Sequence, residues 1–274
     1  VVVREESGRA GALCIPQAQH AAISGQIARA WGNERFAAPE PREQVCLAAA
    51  RHDDGMEGFD ADPLADPETG LPLSFMRMPL DAWLQCWRMG PSLVAADSPY
   101  AGALVSLHGD HLLGYRRLDP EDEQGRRAIA AYRSEQRRLR SEWLAAAEAE
   151  LGSDAGGLCE PAAIERNRKL IEIWDAMSLA VSMPRLPDSF DGVPASGSSP
   201  AIEMRALSEG PGEGPVVVDP WPFGVAELGL EAEGRRLRGP FADREQLRAA
   251  LAEAQPETLS VKLVPPEGGR ALSR

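Results

Sequence analysis

The chain has 274 residues, with 42 acidic against 29 basic side chains, a formal net charge of −13, 43% hydrophobic and 26% charged residues. These proportions are those of a globular protein large enough for one large domain or two small ones. The excess of acid argues against a general nucleic-acid role, because a phosphate backbone calls for a basic surface. No apolar run approaches the roughly 18 residues that span a bilayer, and the start, VVVREESGR, lacks the charged end, apolar stretch and cleavage site of a secretory signal. The expectation is a cytoplasmic protein whose partners include neither a membrane nor a nucleic acid. Cys14, Cys46, Cys86 and Cys159 are widely separated, with no Cys-x-x-Cys. They read as buried or free thiols rather than as a disulfide framework or a thiolate zinc site.

At the N-terminus, VVVR and ALCI flank the polar, Gly-containing ESGRAG and predict a β-hairpin over residues 1–15. From Pro16 the period changes: His20, Ile23, Ile27 and Trp31 recur at helical spacing until Gly32-Asn33. A second helix, PREQVCLAAARH, places Val45, Ala48, Ala49 and His52 on one stripe and breaks at Gly55. FDADPLADPETGLPLSF, rich in Pro, Asp and Gly, reads as a long ordered loop of the kind that borders functional sites. Helical patterns resume in LDAWLQCWRMG, PYAGALVSLHGDHLL, EDEQGRRAIAAYRSEQRRLRSEWLAAAEAELG and PAAIERNRKLIEIWDAMSLAVSM, whose tryptophans from Trp83 to Trp174 read as core. Residues 185–200 have linker composition. Beyond them a period of two marks AIEMRAL, PVVVD, VAELGLEAE, GRRLRG and ETLSVKLV as strands, with one helix at DREQLRAALAEA. The expected fold class is mainly α: a helical domain over 16–184 and a small α+β C-terminal subdomain over 201–274, with the N-terminal hairpin a candidate to join its sheet.

The strongest local chemical signal is Arg51-His52-Asp53-Asp54-Gly55, where an imidazole and a carboxylate adjoin at a helix end and can converge on one metal ion. Alone, the motif is explained more simply as a helix C-terminus, with His52 at the negative dipole end and Asp53 opening a turn. Two other positions shift the balance. His20 lies on the apolar stripe of its helix, and Asp175 sits between Ile171 and Leu179 on the helix surface. A carboxylate so placed needs a metal, hydrogen-bond donors or a cation such as Arg168, or else protonation. His108 and His111 stand at i and i+3; His108, one turn after Leu104, is the one expected inside, and His111 the one expected toward solvent. Arg116 and Arg117 could hold an anionic group bidentately or form a solvated loop pair. There is no P-loop, GxGxxG or nucleophile elbow.

Taken in order, His20, His52-Asp53 and Asp175 resemble the His…His-Asp…Asp arrangement of the HD-domain superfamily of helical metal-dependent phosphohydrolases, in the settings QHAAISGQIA, CLAAARHDDG and IWDAMSLAV. More narrowly, nearly the whole chain resembles an uncharacterised bacterial family, domain of unknown function 3891, with HDDG, PLSF, SLH and DPWPF in order. Met56 stands where that family's His-Asp-Asp-Gly-Trp signature has tryptophan. The resemblance implies an HD-like helical core in which His20, His52, Asp53 and Asp175 hold a divalent transition metal (Mn, Fe, Co, Ni or Zn), with His108 as an extra ligand. Asp54, one residue beyond the ligand pair, is the candidate catalytic group to orient a water, and Arg116 and Arg117 are candidates to hold the small anionic substrate, which the resemblance implies is a phosphate ester or nucleotide. The alternatives are an HD-like module that binds metal, ligand or partner without turnover, and a di-iron oxygenase of HD type that uses His108 and His111.

Overall fold

The computed structural model describes the chain except residues 7, 118, 120, 184, 198, 208–213 and 267–274. Its strands come from both ends of the sequence. β1 (Val2–Glu5) and β2 (Ala12–Ile15) form the expected hairpin, pairing from Val2↔Ile15 to Glu5↔Ala12. The others are β3 (Asp188–Phe190), β4 (Ile202–Ala206), β5 (Val216–Asp219), β6 (Leu228–Leu237) and β7 (Pro256–Val264). All seven join one sheet in the order β1-β2-β6-β7-β5-β4-β3, antiparallel except for the β5–β7 pair. Alternation sets its buried face: Leu259, Val261 and Leu263 of β7 are buried while Ser260 and Lys262 between them are exposed.

This sheet corrects the expectation of a mainly α, HD-like fold. The chain is 52% helix and 17% strand, an α/β architecture with one mixed seven-stranded sheet. The pairing that builds it, Ala12↔Leu237 to Cys14↔Arg235, joins segments more than 200 residues apart, and short strands leave no local trace of such a partner. Asp188–Phe190, inside the segment of linker composition, is the edge strand β3. VAELGLEAE and GRRLRG, read as two strands, are largely one, β6. Gly234 lies within it because a Cβ there would come 2.9 Å from the Cys14 carbonyl oxygen as β2 passes.

The helices are α1 (Gln17–Ala30), α2 (Arg42–Arg51), α3 (Glu57–Ala61), α4 (Leu80–Ala95), α5 (Pro99–Leu112), α6 (Glu123–Leu151), α7 (Pro161–Ser182) and α8 (Arg244–Glu253). Side-chain caps start several of them: Ser98 accepts from the Ala101 amide with Pro99 in the first turn, Asp122 from Gly125, and Asp243 from Gln246. α7 is the central helix, packed on α1, α2 and α5. The main hydrophobic core runs from Ile27, Trp31 and Trp174 on the helices to Val218, Leu230 and Val261 on the sheet, and a smaller cluster gathers Ala12, Cys14, Leu71, Leu237 and Leu247. Trp31 is its hinge point, meeting Trp174 and Phe223 edge-on at 5.7 and 5.8 Å between ring centres.

α1 also completes the sheet. Only the end of β6 pairs with β2, so the peptide groups farther along that side of β6 need other partners. Gln26 meets this need from both ends of its amide: its Nε2 donates to the Glu231 carbonyl at 2.8 Å and its Oε1 accepts from the Glu231 amide at 2.9 Å. Gln19, two turns earlier, accepts from the Glu233 amide at 2.9 Å. Two glutamines thus fix the helix that carries His20 to the sheet. Gln26→Ala is expected to cost about 1–2 kcal/mol in urea unfolding. Gln26→Leu should be no better than Ala if hydrogen bonding, rather than contact area, is the source of the stability.

Candidate metal centre

Each residue of the centre is delivered by a different piece of the helical layer. His20 comes from α1, His52 caps the C-terminus of α2, Asp53 follows it, His108 comes from α5 and Asp175 from α7. All five are buried, none more than 7% exposed. The His20 Nε2 lies 2.8 Å from Asp175 Oδ1, and the His52 Nε2 lies 3.5 Å from that same oxygen. On the other side, Asp53 Oδ2 is 3.4 Å from His52 Nε2 and 3.8 Å from His20 Nε2. His108 Nε2 approaches the second oxygen of Asp175 at 3.3 Å. His20, His52 and Asp175 each offer one atom within 4.8 Å of the others, a buried group that could hold a metal ion.

The orientation of the His20 and His52 imidazoles is set by what their far nitrogens touch. His52 Nδ1 is 2.9 Å from the Ala49 carbonyl oxygen, which can only accept. The proton of the neutral ring therefore sits on Nδ1, and Nε2, buried with no hydrogen-bond partner, presents its lone pair to the carboxylates. Ser178 does the same for His20. Its hydroxyl proton goes to the Asp175 carbonyl oxygen at 2.8 Å, so its oxygen is left to accept from His20 Nδ1 at 2.8 Å. Ser24 donates to Ser178 from behind at 3.0 Å. Such outer partners fix tautomer and ring plane in histidine metal sites. Burial opposes ionisation of Asp175, yet the His20 hydrogen bond and the His108 and His52 imidazoles beside it hold its carboxyl well below the usual range. Burial likewise favours a neutral His52, but Asp53 and Asp175 outweigh it and raise its pKa well above that of a free imidazole.

The turn after α2 makes the His52-Asp53 pair converge. Rather than leaving the helix, the chain tightens into a 3₁₀ turn over Asp54–Met56, with the Met56 amide bonded to the Asp53 carbonyl at 2.8 Å. Gly55 lets this turn press against α4: a Cβ there would lie 2.1 Å from the Cys86 carbonyl oxygen and 2.8 Å from the Gly90 amide nitrogen. The Gly of the HDDG motif is thus a packing requirement of the turn that carries His52 and Asp53.

Of the residues singled out by sequence, His20, His52, Asp53, His108 and Asp175 are brought together. Asp54 is not: its Oδ2 accepts from Arg51 Nε at 2.6 Å, and Arg51 also pairs with Asp97. It does not line the cavity in front of the centre. His111 stands apart, its Nε2 3.2 Å from both Glu172 and the Tyr115 hydroxyl, so it is not placed to join His108 around a second metal. Arg116 and Arg117 do line the cavity, a pocket of about 430 Å³. So do Trp83 and Trp87, which read as core from the sequence and also belong to the hydrophobic core. Gln17 escaped notice there: buried, it donates from Nε2 to Asp53 Oδ2 at 3.3 Å. Its spacing of three residues before His20 on one helix face is the signal that could have found it. The cysteines are free thiols and none belongs to the centre; burial pushes Cys14 up to about 12 and Cys86 to about 11.

The fold and the centre define an α/β protein with a buried His/Asp group at the foot of a cavity. The chain belongs to the family described as protein of unknown function (DUF3891), whose model matches residues 1–239. The match stops just past β6, so α8 and β7 lie beyond it. No curated protein and no solved structure matches the chain, and these comparisons give no support to the HD-domain resemblance.

The packing reading of the turn is open to direct test. Gly55→Ala should destabilise the protein by about 1–3 kcal/mol, because backbone on both sides must shift. Gly58→Ala, three residues on, would meet nothing within 4 Å and should cost nothing or add up to about 1 kcal/mol. Thermal or urea unfolding of the two variants beside the wild type checks both.

Proposed function

We propose that the protein is a metal-dependent hydrolase of a small anionic ester, a phosphate ester or nucleotide. His20, His52 and Asp175 hold a divalent transition ion, with Asp53 and His108 beside them. The observation that carries this reading is the aim of the His52 imidazole: a buried Nε2 without a hydrogen-bond partner, its tautomer fixed by the Ala49 carbonyl, within 3.5 Å of two carboxylates. Charge favours it as well. Two buried carboxylates face the imidazoles, and once those rings take the neutral form that ligation requires, a divalent cation balances the two negative charges; the mixed N/O donor set suits Mn, Fe, Co, Ni or Zn rather than an ion that wants oxygens alone.

When bound, such an ion supplies Lewis-acid polarisation of a phosphoryl oxygen and lowers the pKa of water. The chain's own residues do the rest. Ser178 and the Ala49 carbonyl keep the two imidazoles in their ligating tautomers, and Gln17 holds Asp53 in place. Arg116 and Arg117 put positive charge on the wall of a cavity that opens onto the centre. In the hydrolysis, the oxygen of water bonds to phosphorus while the ester P–O bond breaks. The leaving oxygen keeps the electron pair and takes up a proton.

Protein purified without chelator should carry close to one equivalent of a transition metal, and Asp175→Asn, which keeps size but removes charge, should lower retained metal by about 10-fold or more at matched free metal. Chelation should abolish turnover of a phosphomonoester panel and one of the five ions should restore it. Stoichiometric metal without turnover of any ester would instead identify a binding module. Equal metal content in the wild type and Asp175→Asn would remove the centre itself.

A further inference from the structure

The cavity is far larger and more apolar than a bare oxyanion needs. At about 430 Å³ it has the room of roughly fourteen waters of ~30 Å³ each. Beyond the buried centre its inner wall is made by Trp83, Trp87, Leu112 and Leu179. Its rim carries Phe75, Met76 and Tyr115, and two of these are among the most exposed large apolar side chains of the protein, Met76 at 60% and Tyr115 at 68%. Apolar side chains left open around a polar site are the mark of a ligand that covers them.

Arg116 stands within this apolar wall, and its surroundings hold it there. One Nη2 donates to the Met78 carbonyl at 2.7 Å, and the guanidinium lies 5.7 Å from the centre of the Trp83 ring. No carboxylate among the described residues pairs with it, in contrast to Arg51, Arg77, Arg168, Arg236 and Arg244, which all have acidic partners. Its position depresses its pKa through burial alone. A half-buried guanidinium pinned by a carbonyl and a ring, with donors to spare and no counter-ion, is preorganised for an anion brought in by a ligand.

We propose that the site takes amphipathic anions: a phosphate or similar oxyanion joined to a bulky apolar or aromatic group, the anion held by Arg116 and the apolar part seated on Trp83, Trp87, Leu179 and Met76. The identity of the bond broken rests on the hydrolase reading above; the recognition of this class of ligand rests on the cavity wall. It sets the substrate preference against small hydrophilic esters, which would leave the wall uncovered and gain nothing from it.

Three probes separate the contributions: 1-naphthylmethylphosphonate, whose P–C bond is not hydrolysed, methylphosphonate, which has the anion alone, and 1-naphthylmethanol, which has the ring alone. Each is titrated into the full chain, before and after chelation, with calorimetry and tryptophan fluorescence as readouts and bound metal measured on the same samples. The naphthyl phosphonate should bind at least about 10-fold tighter than methylphosphonate, in chelated as in metal-loaded protein, and should perturb tryptophan emission. Arg116→Gln should weaken the naphthyl phosphonate by about 10-fold and leave 1-naphthylmethanol unchanged. Met76→Asp, at an exposed rim position that the fold does not need, should weaken both naphthyl probes.

Equal affinity for the two phosphonates, no binding of the naphthyl phosphonate, or an Arg116→Gln effect as large on the neutral probe would overturn the proposal. Arg116-dependent naphthyl binding in a protein that retains no metal would uphold it while removing the hydrolase reading. Retained metal with no naphthyl preference would do the reverse.

Discussion

Asp175 is a carboxylate on the central helix of the protein, and the groups that stabilise its charge arrive from three other helices. His20 on α1, His52 at the end of α2 and His108 on α5 all bring an Nε2 within 3.5 Å of its two oxygens. An unpaired carboxylate at this depth would cost several kcal/mol, so the packing of α1, α2 and α5 around α7 and the electrostatics of Asp175 are one problem with one solution. A core assembled from Ile, Leu and Trp alone would be simpler to build. Instead, two carboxylates and three imidazoles gather at its centre, with a serine hydroxyl behind His20 and the Ala49 carbonyl behind His52.

The sheet serves that arrangement from a distance. It closes the two ends of the chain on each other and presents β6 to α1, where Gln19 and Gln26 tie helix to strand through backbone groups. The position of His20 along α1 is thereby fixed against a rigid body rather than only against other helices. On the opposite side of the centre the constraint is steric. Gly55 and Gly90 allow the turn after His52 to contact α4 backbone to backbone, and α4 in turn supplies Trp83 and Trp87 to the cavity. The polar foot of the cavity and its apolar wall are therefore parts of one packed unit.

Much of the centre was legible in the sequence because helices announce their faces locally. The stripe His20, Ile23, Ile27 and the setting of Asp175 between Ile171 and Leu179 mark inward positions without any knowledge of tertiary structure. Asp54 is held away from the group by a partner also present in the sequence, since Arg51 stands three residues before it and pairs with its carboxylate. The sheet was not legible as a whole. Strands such as β4, β6 and β7 carry a period of two, but strand order is decided by pairings such as Cys14↔Arg235 that no local pattern encodes, and Asp188–Phe190 is too short to show a period at all. The dual role of Trp83 and Trp87 was hidden for a related reason: a tryptophan that fills a core and one that lines a cavity look alike until the opposite wall is known.

The most direct test of the centre is the position of the ion itself. Crystals of protein loaded with Mn or Zn, with data collected on both sides of the metal absorption edge, should show one strong anomalous peak at roughly 2.0–2.3 Å from the Nε2 atoms of His20 and His52 and from an oxygen of Asp175. A peak elsewhere, or an ordered centre in which Asp175 remains bonded only to the imidazoles at saturating metal, would show that these residues form a buried structural ion pair and not a metal site.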